Sequence, residues 1–170
     1  DLGNSINYLD YVNVMSYSMY SSSGYYQSPL YSVSTYYNTT YKVGRSSESV
    51  DSSIDHYNSL GVTNDKLIIG AAFYGKRQIK SGSRWSSNGS INYDIIKRYR
   101  ESGDFYSFYD ERAEAPFLLK KDGTIFISFD DERSVKAKCQ YVLDQNLAGI
   151  MYWENGCDPT GDLVRAIKEG

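Results

Sequence analysis

Three large aromatic side chains stand at comparable places in this chain. Tyr17, Tyr74 and Trp153 lie at or beside the ends of runs 11–17, 66–75 and 149–154, which are rich in apolar or β-branched residues. A tyrosine or tryptophan offers a flat apolar face with a polar tip, which suits an amphipathic ligand such as a sugar. Composition repeats the bias, with 18 tyrosines in 170 residues; aromatic filling of strand surfaces would account for the same excess. Other chemistry is thinly supplied. The single histidine, His56, falls in a helical stretch and reads as structural, so neither a zinc site nor a Ser/His triad has its residues. Cys139 and Cys157 do not make a metal-ligand spacing. A disulfide between them is open, and two unpaired, largely buried thiols are the favoured reading. Asp130 and Asp131 precede a helix and read as its cap. Glu154, directly after Trp153, points to the opposite strand face.

The elements that position these aromatics can be read from periodicity. In residues 11–17, Val12 and Val14 are β-branched and apolar, while Met15 and Tyr17 share the other face. Residues 20–41 form a long Ser/Tyr/Thr loop, too aromatic for a linker and better read as a cleft wall. Within it, and at residues 88–90, stand the tripeptides Asn38-Thr39-Thr40 and Asn88-Gly89-Ser90, weak signals for N-glycosylation. Residues 47–60 carry Val50, Ile54 and Tyr57 at helical spacing, with Gly61 as a stop. Residues 66–75 are nearly all apolar, as in a strand of a parallel sheet buried on both faces.

A polar loop holding Trp85 is expected over 75–89, then a helix over 92–102. Strands follow over 105–110, 115–120 and 124–129, with Asp122-Gly123 as a tight turn. A helix over 132–146 has the apolar stripe Val135, Cys139 and Val142. Residues 149–154 form the third buried-type strand, and Asp158-Pro159 reads as the start of a last helix. The order is β-α-β, an α+β insert, then α-β-α, with Tyr17, Tyr74 and Trp153 delivered to one end of a parallel sheet.

Length and charge bound the rest. The chain suits one domain or part of a larger one. A net charge of −3 makes no case for nucleic acid or an anionic membrane surface. No hydrophobic run is long enough to cross a membrane, and no signal peptide is seen in a chain that opens with Asp1.

These residues and their order resemble the C-terminal part of glycoside hydrolase family 18, the chitinase family. Residues 11–17, with Met15-x-Tyr17, resemble that family's sixth barrel strand. Residues 66–75, closing in Phe73-Tyr74-Gly75, are similar to the seventh, and residues 149–154, closing in Trp153-Glu154, to the eighth. Residues 91–129 are similar to its small α+β insertion, with the Asp110…Ala115-Pro116-Phe117 pattern, and residues 129–134 to the start of its seventh helix.

The resemblance implies an α/β fold made of the last three βα units of a TIM-type (β/α)8 barrel. Residues 1–74 would be barrel, 75–129 a loop and the small α+β insertion, and 130–170 barrel again. It implies hydrolysis of β-1,4-linked N-acetylglucosamine polymers by substrate-assisted retaining catalysis. Tyr17 would hold the substrate's acetamido group. Trp153 would be the floor under the sugar, with Met15, Tyr74, Asp110 and Arg112 lining the cleft; Trp85, Tyr20, Tyr25 and Tyr26 would be outer platforms. No cofactor or metal is implied.

Two departures stand out. Ser18 occupies a position where the family usually has Asp, and the catalytic Asp-x-x-Asp-x-Asp-x-Glu run is absent from this chain. The expectation is therefore an inactive fragment of a secreted enzyme. Its partner would be chitin or an N-acetylglucosamine oligosaccharide, and its open barrel edge would meet the missing N-terminal half or a second copy. The alternative is a chitinase-like carbohydrate-binding protein without hydrolysis.

Overall fold

A computed structural model describes residues 5–20 and 22–170. Of the polar opening stretch, residues 1–4 lie outside the described residues, and Ile6–Tyr8 is a single 3-10 turn. Two sheets organise the chain. The first is parallel and three-stranded: β1 (Val12–Val14), β2 (Leu67–Ala72) and β8 (Gly149–Trp153), with β2 in the middle. Val14 pairs with Ile69, and Ala72 with Trp153, so the carboxyl ends of the strands point the same way. The helices α1 (Val50–Ser59) and α3 (Glu132–Asp144) form the crossovers back to this sheet, and α4 (Asp162–Glu169) packs on α3. Buried Val14, Val50, Ile54, Leu67 and Ile69 hold β1, β2 and α1 together.

The second sheet is antiparallel and five-stranded, in the order β4 (Arg84–Asn92), β3 (Tyr74–Ser81), β7 (Ile125–Ser128), β6 (Ala115–Lys120) and β5 (Phe105–Asp110). Helix α2 (Tyr93–Glu101) follows β4, and its Tyr93 and Ile96 are buried. The chain passes from one sheet to the other at Phe73. The Phe73 N–H donates to the Trp153 carbonyl at 2.8 Å, and its carbonyl accepts from the Tyr93 N–H at 3.2 Å. One residue thus joins both sheets, and the next, Tyr74, begins the second.

Several local expectations are corrected. The polar loop over 75–89 is instead the β3–β4 hairpin, with a turn at Gly82 (φ +59°). Most of its exposed positions are polar, which hides the alternation of a strand whose order comes partly from pairing with β7. Strand β1 ends at Val14, before Tyr17. Beyond it the Ser16 hydroxyl continues the link to β2 by accepting from the Gly70 N–H at 3.2 Å. Trp85 and Tyr26 are core residues rather than platforms: Trp85 donates to the Tyr41 carbonyl at 2.9 Å, and Tyr26 is fully buried.

Asp158-Pro159 does not open the last helix. Its first residue is Asp162, although Asp158 reaches forward and accepts from the Leu163 N–H at 2.8 Å, a capping contact made from outside. Of the acidic pair before α3, only Asp131 caps, accepting from the Arg133 and Ser134 N–H groups. His56 lies on α1, as expected, and is exposed. Cys139 and Cys157 are free and buried.

Candidate functional site

The site is built where the parallel strands end. Tyr17 follows β1, and its ring lies across Gly70 of β2. A Cβ at Gly70 would stand 2.5 Å from Tyr17 Cε1, so the missing side chain is what admits the ring. Tyr17 meets the Tyr74 ring edge-on, with centroids 6.1 Å apart, and its hydroxyl donates to the Met151 sulfur at 4.0 Å. Burial pushes its phenol above the usual tyrosine range. Ser18 adopts φ +57°, which turns its hydroxyl onto that of Tyr74 at 2.6 Å. Burial also raises the Tyr74 phenol, against the lowering effect of the Ser18 hydrogen bond.

Trp153 ends β8 with 58 % of its surface exposed. Its carbonyl is held by the Phe73 N–H, and Phe73 stacks on Tyr152 with centroids 4.3 Å apart and planes 7° from parallel. The Trp153–Glu154 peptide is cis. Trp153, Tyr74, Lys76 and Asn92 line a cavity of about 270 Å³. Met15 is 71 % exposed. It shares a cavity of about 570 Å³ with Tyr17, Asn13, Met19, Glu48 and His56. Tyr17, Tyr74, Met15 and Trp153 therefore occupy one continuous edge of the molecule.

Asp110 and Arg112 stand elsewhere. Asp110 ends β5, Arg112 lies in the turn to β6, and neither lines either cavity. Asp110 is 1 % exposed; it accepts from Arg112 Nε at 2.8 Å and Nη2 at 2.7 Å, and from the Tyr26 hydroxyl at 3.0 Å. Arg112 also reaches Thr35 at 2.9 Å, so the pair ties the second sheet to the long loop. Asp110 holds the Arg112 guanidinium above its usual range.

Sequence reasoning missed the support behind the site. Lys138 and Asp130 form an ion pair with no exposed surface on either side chain. Lys138 Nζ donates to both Asp130 oxygens, at 2.7 and 2.6 Å, and to Ser28 Oγ at 2.7 Å. Asp130 also accepts from the Ala72 N–H at 3.0 Å and from Ser134 Oγ at 2.9 Å. Ser28 in turn donates to the Ser16 carbonyl at 3.1 Å. One buried charge pair thus links the ends of β1 and β2 to α3. The available signal was Lys138 itself, three residues from Val135 on an otherwise apolar stripe. Gly70 was signalled as a glycine inside a strand, which marks a close approach. Among the described residues no cluster of three or more His, Cys, Asp or Glu could hold a metal ion.

The family model for glycosyl hydrolases family 18 matches residues 1–158. The chain belongs to this family. A probable endochitinase of Orgyia pseudotsugata multicapsid polyhedrosis virus is 30 % identical over 95 % of this chain and 31 % of its own length. Chitinase 2 of Yersinia entomophaga is 30 % identical over 72 % of this chain and 23 % of its own. A family 18 N-acetylglucosaminidase from Paenibacillus barengoltzii superposes with a TM-score of 0.81 at 33 % identity, covering 99 % of this chain and 50 % of that one. The chain thus spans less than a third of these two curated relatives and half of the solved structure. Its α/β architecture is that of family 18 glycosidase domains.

Proposed function

We propose that this chain is the sugar-binding end of a chitinase-type glycosidase acting on β-1,4-linked N-acetylglucosamine polymers. The observation that carries the reading is the meeting of Tyr17, Tyr74 and Trp153 at the carboxyl ends of three parallel strands in a family 18 chain. In this reading the strands are the last three of a (β/α)8 barrel, whose chemistry sits at that end. Residues 1–74 and 130–170 are barrel, and 75–129 is the insertion.

Trp153 presents its exposed indole to the apolar side of a pyranose, and Met15 and Tyr74 wall the same edge. Tyr17 donates its hydroxyl to the acetamido oxygen of the sugar. That oxygen attacks the anomeric carbon while a glutamic acid from outside these 170 residues protonates the leaving oxygen, so configuration is retained. This chain supplies binding and acetamido positioning and is inactive alone. Asp110 and Arg112 act on this site by anchoring the insertion. The exposed edge carrying Tyr11, Met15 and Trp153 is covered by the other half of the barrel or, without it, by a second copy. An extracellular setting belongs to the same proposal.

A second reading, a chitinase-like lectin without hydrolysis, is favoured by one observation. Ser18 is neutral and spends its hydroxyl on Tyr74.

The test is binding of chitohexaose to this chain by calorimetry. Trp153→Ala is expected to weaken it at least tenfold while urea stability stays within about 0.5 kcal/mol, as for an exposed side chain. Unchanged binding would sink the reading. Measurable chitohexaose turnover by the chain alone would sink the assignment of the acid to residues outside it.

A further inference from the structure

The net charge of −3 conceals a strong separation. Residues 11–47 and 66–93 contain seven of the 18 basic residues and none of the 21 acidic ones. These two stretches pack on each other. The Ser23 N–H donates to the Trp85 carbonyl at 3.2 Å, the Gly24 N–H to Gln78 Oε1 at 2.9 Å, and Trp85 Nε1 to the Tyr41 carbonyl at 2.9 Å. Ion pairing follows the same division. Every ion pair among the described residues uses a cation from outside the two stretches, and none uses Lys42, Lys76, Lys80 or Arg84.

At the far end of the β3–β4 hairpin these cations converge. Ser23, Lys42, Ser83 and Arg84 line a cavity of about 360 Å³ with Tyr36 and Trp85. Lys42 and Arg84 are exposed. Two cationic residues and two serines thus line one space with no acidic residue in its lining. Tyr36 carries the Arg45 guanidinium 4.6 Å from its ring centre, and the same guanidinium lies 4.4 Å from the Tyr25 ring centre, which adds positive charge at the rim.

We propose that this cavity is a binding site for an acidic glycan, a sugar chain bearing uronic carboxylates. Arg84 offers a planar fork that matches a carboxylate, Lys42 a second charge, and Ser23 and Ser83 partners for sugar hydroxyls. A single-stranded nucleic acid fits less well, because it needs open aromatic faces for its bases. Here Arg45 covers Tyr36, and Trp85 is buried with the Lys80 ammonium 5.6 Å from its ring centre. The positive charge continues along β3 through Lys80 to Lys76, roughly 13 Å away at strand rise. Lys76 already lines the cavity beside Trp153. The site is separate from the Trp153 edge and does not depend on the function proposed for it.

The experiment is calorimetric titration of this chain with oligogalacturonate, with chitohexaose and oligothymidylate as comparators. The double variant Lys42→Asn, Arg84→Gln removes both charges, and Asn suits the left-handed backbone at residue 42 (φ +55°). Oligogalacturonate is expected to bind the parent chain, to bind the double variant at least tenfold more weakly, and to lose affinity as salt rises. Lys168→Gln, an exposed cation outside the two stretches, is expected to leave it unchanged. Absence of oligogalacturonate binding, equal binding by the double variant, or equally tight binding of oligothymidylate would each overturn the proposal. Chitohexaose affinity is expected to be the same in the double variant and the parent. A loss there would overturn the separation of the two sites, and failure of Trp153→Ala to affect it speaks only to the chitinase reading.

Discussion

Replacing Lys138 by Met tests the support of the site most directly. Met keeps the length of the side chain and removes its charge, leaving Asp130 ionised and fully buried. Asp130 then retains only the Ala72 N–H and Ser134 Oγ as donors, where it now has an ammonium bound through both oxygens. Removing one partner of a buried pair costs about 3–5 kcal/mol, because the other charge stays desolvated without its counter-ion. In a chain of 170 residues, each kcal/mol moves the thermal midpoint by about 2–4 °C. Lys138→Met is therefore expected to lower Tm by roughly 6–20 °C. Adding Asp130→Asn removes the orphaned charge while leaving an acceptor for the Ala72 N–H. The double variant is expected to regain at least half of the loss, since a neutral replacement of a buried pair often comes close to the original.

The assay is urea unfolding followed by far-ultraviolet circular dichroism, comparing midpoints at unchanged slope. A loss below about 1 kcal/mol for Lys138→Met would show that water reaches Asp130. A double variant as unstable as the single one would show that lost packing, rather than an unpaired charge, is the cost. Either result would refute the argument. Because Lys138 also donates to Ser28, which holds the Ser16 carbonyl, the same substitution is expected to loosen the segment carrying Tyr17. Faster amide exchange there than in β5–β6 would show it.

Other consequences are open to simpler measurement. Gly70→Ala places a methyl group 2.5 Å from Tyr17 Cε1 and is expected to cost about 1–3 kcal/mol and to weaken chitohexaose binding; a stability within about 0.5 kcal/mol together with unchanged binding would count against the close approach. Tyr17, Tyr26, Tyr31, Tyr74, Tyr93, Tyr109 and Tyr141 all have phenols raised chiefly by burial. Their folded forms hold protons that the unfolded chain releases near pH 10, so stability is complete below that pH and falls as pH rises above it. Absorbance at 295 nm is expected to show Tyr26, Tyr93, Tyr109 and Tyr141, the most strongly raised of these, ionising only with alkaline unfolding, and their full ionisation near pH 10 in a still-folded chain would contradict this.

What could be read in the sequence follows from patterns of local origin. The run 66–75 announced β2, because a strand covered on both sides needs apolar residues throughout; the run 149–154 announced β8, although none of its residues is buried here and Tyr152 and Trp153 are exposed. The strands 105–110 and 115–120 coincide with β5 and β6. The helix over 132–146 was legible from its stripe and its acidic start. The β3–β4 hairpin was hidden, because its order comes partly from β7, more than thirty residues away in sequence, and most of its exposed positions are polar. Trp85 sat in an apparently polar segment and proved to be core for the same reason. The start of α4 was misplaced because Asp158 caps from three residues before Gly161, a geometry set by the turn between them.

For the site, the division is similar. Residue types and order by themselves determined the family, the strand-end aromatics and the absence from this chain of the acidic catalytic run. These are properties of short stretches, in which side-chain alternation and turn chemistry act over a few residues. Only the tertiary structure decided that Tyr17 rests on Gly70 and that Ser18 binds Tyr74. It also decided that Asp110 and Arg112 bond to each other away from Trp153, and that Lys138 is neutralised in the core by Asp130. Each of these depends on chain segments meeting across the fold or on a turn closing back on itself. Burial then settled whether a polar group was available to a ligand or engaged within the protein, because a desolvated charge must find its partner inside.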